Sequence, residues 1–256
     1  MKETPDNEIS ARIERLLTAQ PTAPPQARRV RRSFVIEKME SQGPLYISIE
    51  VRVDEEFAEA YRRPGQYVTL KLSGWPARFY VIASRPETDR WEFLVERKGE
   101  LGPALAALTP GDEVLVSIPE GVGFDPVEAR GKVATLFCTG SGVATMRSLI
   151  EEWLAADQEY RPRQMVLYYG EVDWEDFAYQ KLLDNWESRG VQVYRAVEEQ
   201  TGDRLGFRYV QHAFDHYHPE MEDAFVYLSG APVMIQMVAQ KLLRLGVATP
   251  RVKINI

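Results

Sequence analysis

The 256-residue chain, with 45% hydrophobic and 27% charged side chains, has the composition of a folded globular protein large enough for two cores, which excludes disordered and fibrous classes. Its 31 basic and 38 acidic side chains leave a formal charge of -7, which repels nucleic-acid backbones. No apolar run reaches membrane-spanning length. The first twenty residues carry Lys2, Glu3, Asp6, Glu8, Arg12, Glu14 and Arg15 and lack the apolar centre of a secretion signal, so the chain reads as cytoplasmic. One cysteine, Cys138, leaves no partner for an internal disulfide and too few thiolates for an iron-sulfur cluster, so a redox centre here is expected to be a bound organic cofactor.

In chain order, Ile9, Ile13, Leu16 and Leu17 fall at helical spacing before Pro21, Pro24 and Pro25, so residues 1–27 read as an appended helix on a stiff tether. Arg28, Arg29, Arg31 and Arg32 read as a solvated lead-in to the first strand, with a docking patch for an acidic redox partner as the alternative. From Leu45 to Val53 apolar and polar residues alternate, as in a half-buried antiparallel strand. Strands are also predicted over 66–72, 78–83, 91–97 and 113–118, separated by turns such as Ser73-Gly74 and Pro110-Gly111-Asp112. Strands this closely spaced predict a small antiparallel β-barrel over 28–127.

Gly121, Gly123, Pro126 and Gly131 mark a boundary near 120–130. Beyond it strands at 133–138, 165–169, 191–194 and 225–228 alternate with helices at about 144–156, 175–188 and 233–245. That grammar predicts an α/β domain with a parallel sheet over 128–256.

Several clusters bear chemistry. Gly140-Ser141-Gly142 joins a strand to a helix and would turn backbone N–H groups toward an anion. The spacing is Gly-x-Gly-x-x-Thr, so the third glycine of the dinucleotide fingerprint is absent and the loop alone is an ambiguous anion site. An esterase elbow is set aside because Thr139 and Val143 stand where glycines are required. Arg78 and Tyr80 lie two apart on a strand and so share a face, either as a phosphate-pairing guanidinium beside a ring or as a surface arginine and a cross-strand aromatic. Gly99-Glu100-Leu101-Gly102-Pro103 is either a second phosphate cradle or an ordinary turn and helix start. His212, His216 and His218 lack the companions of a metal site, and none is expected. Cys138 reads as a small buried hydrophobe, and Trp153, Trp174 and Trp186 as helix packing.

Taken together these stretches resemble the ferredoxin-NADP reductase superfamily over residues 30–256. The matching segments are Pro64-Gly65-Gln66-Tyr67-Val68, Arg78-Phe79-Tyr80 followed by Ile82-Ala83-Ser84, residues 99–105, residues 139–144 and residues 230–234. The resemblance implies a two-domain protein in which the barrel binds FAD and the α/β domain binds NADH or NADPH. It implies that Arg78 meets the flavin diphosphate and Tyr80 packs on the isoalloxazine, with Phe79, Val81 and Ser84 in the same motif, and that Gly99, Leu101 and Gly102 form the second flavin-phosphate segment. Thr139, Gly140, Ser141, Gly142, Gly230 and Met234 are implied to hold the nucleotide, and Ser229 to lie near the nicotinamide, making Tyr80 and Ser229 the expected catalytic pair.

Four positions depart from the pattern. Val81 replaces a Ser or Thr, Gly102 a phosphate-binding hydroxyl, Thr145 a proline and Ser229 a cysteine. Glu198-Glu199, with Glu171 and Asp173, favour a ribose hydroxyl over a 2′-phosphate, whereas Arg147, Arg163 and Arg195 keep a phosphate open; NADH is therefore expected over NADPH. The implied function is passage of hydride from NAD(P)H to FAD and of electrons onward to an acceptor the sequence does not identify, a redox protein among the candidates. An electron-transfer subunit of a larger complex and a non-catalytic flavin- or nucleotide-binding module are the alternatives.

Overall fold

The alternation beginning at Leu45 belongs to the second strand of a six-stranded antiparallel sheet. The computed structural model describes residues 11, 14, 30–198, 206–217 and 219–255; Ile9, Ile13, Leu16, Leu17, Arg28, Arg29, Glu199 and His218 lie outside the described residues. The elements of the first half are β1 (Arg31–Gln42), β2 (Tyr46–Arg52), α1 (Glu55–Ala60), β3 (Tyr67–Lys71), β4 (Arg78–Val81), β5 (Arg90–Glu96), α2 (Gly102–Ala106) and β6 (Glu113–Ser117). The strand order is β4-β3-β6-β1-β2-β5, and the Ala83 N–H donates to the Glu92 carbonyl at 2.8 Å, drawing the two outer strands together into a barrel.

β1 has weak alternation because only Phe34 and Ile36 of its twelve residues are buried. In β2 the expected solvent face is buried at Tyr46 and Ser48 as well, because that face meets the second half of the molecule. Asp54 starts α1 by accepting from the Phe57 N–H at 3.0 Å, and Phe57 then packs edge-on against Phe34 at 5.0 Å in the barrel core. Arg31 donates to Thr69 and Arg32 pairs with Asp54 and Glu56, so these two arginines brace the barrel.

The second half comprises β7 (Val133–Thr139), α3 (Val143–Ala155), β8 (Gln164–Glu171), α4 (Gln180–Ser188), β9 (Val191–Val197), α5 (Val210–Tyr217), β10 (Phe225–Ser229), α6 (Pro232–Arg244) and β11 (Val252–Asn255). The strands are parallel in the order β11-β10-β7-β8-β9. β7 reads as an apolar run interrupted by Thr135 because both faces are covered: α3 and α4 pack Leu149, Trp153, Leu183 and Trp186 on one face, and α5 and α6 pack Phe214, Val238 and Leu242 on the other. The helix expected over 175–188 is divided. Tyr179 sits at φ 61 and separates a short 3-10 turn (Trp174–Asp176) from α4, since a left-handed residue cannot continue a right-handed helix. Neither α1 nor β11 has a periodic sequence signal long enough to announce it.

Tyr46, Ala83 and Leu94 of the barrel share one buried cluster with α3 and the parallel sheet, so the two halves meet across a continuous apolar seam. Polar contacts fix its register. Asn255 donates to the Gly65 carbonyl at 2.7 Å, and Arg147 of α3 pairs with Glu92 of β5 while its guanidinium lies 4.6 Å from the Tyr179 ring centroid. The Arg147 and Glu92 side chains are only 18% and 14% exposed. Truncating one partner strands the other charge in a dry seam. Glu92→Ala is therefore expected to cost about 3 kcal/mol, read as a lowered urea midpoint with an unchanged m value, whereas a paired Glu92→Leu/Arg147→Met variant should lose less.

Candidate functional site

A cleft of 1020 Å³ opens in this seam, large for a small-molecule site. Its floor is the carboxyl end of the parallel sheet, where Thr139, Gly170, Glu171 and Ser229 end β7, β8 and β10. β7 and β10 are neighbours whose following helices, α3 and α6, lie on opposite faces, so the cleft sits at the topological switch point of the sheet. Barrel residues form the facing wall.

The cleft gathers nearly every residue singled out in the sequence. Arg78, Phe79, Tyr80 and Val81 come from β4, and Gly99, Leu101 and Gly102 from the turn into α2. Thr139, Gly140, Ser141 and Gly142 come from the loop after β7, with Ser229, Gly230 and Met234 from the loop after β10. Ser84 is outside the cleft. Its hydroxyl accepts from the Glu92 N–H at 3.2 Å and its carbonyl from the Tyr61 hydroxyl at 2.7 Å, so it serves the closure of the barrel.

Steric need explains the two glycines where the nucleotide loops meet. A Cβ on Gly142 would stand 2.5 Å from the Ser229 carbonyl oxygen, and one on Gly230, at φ +129, would stand 2.4 Å from Thr139 Oγ1. Thr139 Oγ1 accepts from the Ala231 N–H at 2.9 Å, which locks the loops edge to edge. Ser229 donates to Thr145 Oγ1 at 3.1 Å. Two departures from the family pattern are thus hydrogen-bonded to each other in a buried place.

On the barrel wall, Arg78 pairs with Glu100, their side chains 49% and 61% exposed. Burial pushes the Tyr80 hydroxyl pKa up to about 12, so the ring stays neutral. Phe79 packs edge-on against Tyr67 at 5.3 Å. Gly102 has its own reason: a Cβ there would stand 2.0 Å from the Glu96 carbonyl oxygen, leaving no room for a hydroxyl-bearing side chain. Val81 presents only carbon to the cleft.

Sequence reasoning missed several cleft residues, among them Tyr46, Lys98, Arg208, Tyr209, Met237 and Asn255. Tyr46, Lys98 and Asn255 lie at or beside strand ends and Met237 within α6, positions that the sequence does not bring to one cleft without topology. Arg147, Arg163 and Arg195 are absent from the cleft. Glu92 holds the first, Asp223 and Glu220 hold the second at 2.8 and 2.7 Å, and Asp184 and Glu187 hold the third at 3.3 Å. Glu198 does line the cleft, its Oε1 accepting from the Tyr209 hydroxyl at 3.3 Å, and Asp173 does not. Glu171 lines it too, but faces inward: Oε1 accepts from the Tyr169 hydroxyl at 2.6 Å. Burial raises its pKa to about 7, with the Tyr169 and Tyr46 hydroxyls pulling the other way.

The remaining candidates take structural places. Trp153 and Trp186 are buried, and Trp174 packs beside them. Cys138 is buried with its thiol pKa raised by desolvation. His212 packs on Tyr209, and His216 on Phe207 and Tyr217.

The residues present fit a flavin and a pyridine nucleotide. A neutral aromatic and a guanidinium share one wall, and a backbone loop at the start of the thirteen-residue α3 forms the other, its Gly142 N-cap making no side-chain capping bond. Comparisons with known proteins agree. Residues 136–240 match the family model described as the oxidoreductase NAD-binding domain. The chain is 25% identical over 219 residues to the sulfhydrogenase 2 subunit gamma of Pyrococcus furiosus, covering 80% of this chain and 75% of that one. The FAD/NAD-binding domain of the Vibrio cholerae nitric oxide dioxygenase superposes with a TM-score of 0.74 at 19% identity, over 87% of this chain and 97% of that one. A ferredoxin NADP+ reductase from Neisseria gonorrhoeae solved with FAD and NADP superposes with a TM-score of 0.69 at 20% identity, over 84% and 92%. Motif order, barrel, parallel sheet and switch-point cleft converge on the two-domain fold shared by these reductases, and residues 136–240 carry the oxidoreductase NAD-binding domain.

Proposed function

We propose that the protein is an NAD(P)H-dependent flavin oxidoreductase, with residues 28–127 as its flavin domain, 128–256 as its nucleotide domain and 1–27 as an appended segment. The observation that carries this reading is the single cleft that unites Arg78 and Tyr80 with Gly140-Ser141-Gly142 and Ser229. Arg78, Tyr80 and the Gly99–Gly102 backbone would hold FAD in that cleft, and bound there it would supply the redox chemistry, as acceptor of hydride from a reduced nicotinamide and donor of electrons onward.

The protein's own work is placement. Tyr80 gives a flat neutral face for the flavin ring, Arg78 a planar donor set for its diphosphate, and Gly99, Leu101 and Gly102 a backbone edge beside it. Thr139, Gly140, Ser141, Gly142, Gly230 and Met234 hold the dinucleotide. Ser229, fixed by Thr145, stands at the nicotinamide end, where its small side chain leaves room for ring-on-ring contact. Phe79 shields the mouth. No side chain need act as an acid or base.

NADH is the favoured donor. Glu198 is a carboxylate positioned in the cleft for ribose hydroxyls, and the three arginines that would have argued for a 2′-phosphate are engaged elsewhere. Arg208, on the same wall, keeps NADPH as the second substrate. The match to a sulfhydrogenase subunit favours a second reading, in which the acceptor is a partner subunit of a larger redox complex. Among the described residues no helix is long and apolar enough to cross a membrane, and the cytoplasm is the compartment we assign.

Three measurements test these points. Protein reconstituted with FAD should bleach within seconds of anaerobic mixing with NADH; a yellow protein that stays yellow would mark a binding module without turnover. Glu198→Gln should shift the NADH/NADPH ratio of kcat/KM toward NADPH by roughly tenfold, equal to about 1.4 kcal/mol, and comparable efficiency with both nucleotides in the unmodified protein would defeat the preference. Glu100→Gln frees the Arg78 guanidinium from an exposed ion pair that contributes little to stability, so FAD affinity should rise roughly two- to fivefold in a fluorescence titration with folding unaffected.

A further inference from the structure

Glu171 ends β8 at the floor of the cleft, only 9% exposed yet part of the lining. The Tyr169 hydroxyl donates to it at 2.6 Å while accepting from the Ala178 N–H at 3.2 Å, so the single phenolic proton is committed to Glu171. Tyr46, on β2 of the barrel, lies across the seam from the same carboxyl, close enough to act on it, and is itself 2% exposed. Glu171 thus sits where the two halves meet, held from its own half by Tyr169 and Ala178 and faced by Tyr46 from the barrel.

The neighbours of this group come from every packed element. Glu96 of β5 and Asp176 of the turn after β8 bring negative charge. Cys138 of β7 contributes a buried neutral thiol. Lys98, which pairs with Glu96 at 3.9 Å, also acts on Asp176. A carboxylate at the centre of that set would sit among like charges with little water to screen it.

We propose that Glu171 is a positioning residue whose proton sets the affinity of the cleft for a pyridine dinucleotide. With the proton on, the floor of the cleft is uncharged; with it off, a buried negative charge faces a ligand that carries a pyrophosphate. The inference rests on the nucleotide reading of the cleft. Its midpoint falls near neutrality because burial raises this carboxyl to about 7. Glu198 lies exposed at the rim of the same cleft.

The test uses the FAD-loaded protein and 1,4,5,6-tetrahydro-NAD, a redox-inert analogue with an uncharged ring, titrated calorimetrically at pH 6 and pH 8. The Kd of the unmodified protein is expected to rise roughly three- to tenfold at pH 8, and Glu171→Gln should bind equally at both pH values, near the unmodified value at pH 6. Tyr46→Phe removes a hydroxyl that favours the carboxylate, so its midpoint should move to higher pH. An unmodified protein with flat binding, or a Glu171→Gln variant as pH-dependent as the parent, overturns the inference and leaves the nucleotide reading standing. No binding at either pH defeats both. Thermal unfolding gives a readout independent of ligand. The folded pKa lies above the ordinary 4.5, so the contribution is complete below pH 4.5 and is lost as pH rises through 7. Glu171→Gln should remove that decline, and superimposable pH–Tm curves for the two proteins would count against the proposal.

Discussion

Everything functional in this molecule depends on the seam between the barrel and the parallel sheet. Each half could bury its own apolar side chains, but neither alone encloses a cleft; the cavity exists because Tyr46, Ala83 and Leu94 enter the cluster built on α3. Apolar contact sets how close the halves come and is indifferent to sliding. Direction comes from polar contacts of fixed geometry: Arg147 on Glu92, Asn255 on the Gly65 carbonyl and the Tyr179 N–H on the Gln42 side-chain carbonyl. Their spread across the interface makes the separation of the two ligand-binding walls a property of the fold, which suits a protein whose task is to hold two planar rings in contact.

The two halves were unequally legible in the sequence. Parallel strands buried on both faces announce themselves as apolar runs, so β7, β8 and β10 could be located nearly to the residue. β1 could not, since ten of its twelve residues are not buried. β2 misled in a more instructive way: Tyr46 and Ser48 follow the rule for a solvent face while a second domain covers them, and alternation cannot tell water from a polar interface. Motif order identified the cleft walls, because loops that carry backbone to a ligand leave a glycine signature. Side chains reaching the cleft from other elements, such as Arg208 and Asn255, leave none.

The departures from the family pattern look different once contacts are known. Thr145 and Ser229, read singly, suggest decay of a catalytic site, yet they form one buried hydrogen bond and so substitute for a proline and a cysteine as a matched pair. Gly102 is dictated by the Glu96 carbonyl and not by any ligand. Val81 is the departure with no such compensation: its side chain brings only carbon to the cleft wall beside Tyr80.

Charge placement ties these observations together. A chain of net charge -7 must admit ligands that are themselves anionic, and the carboxylates lining its cleft are partnered or buried: Glu96 with Lys98, Glu100 with Arg78, Glu198 with the Tyr209 hydroxyl, and Glu171 beneath the seam. Arg163 and Arg195 bind surface carboxylates, and Arg78, paired with Glu100, and Arg208 both line the cleft. Of the lining carboxyls Glu171 has the least access to water, and burial resolves the conflict by keeping its proton on up to about neutral pH. A protonated floor removes one negative charge from the lining of the cleft, and it follows from the position of one strand terminus beneath the seam.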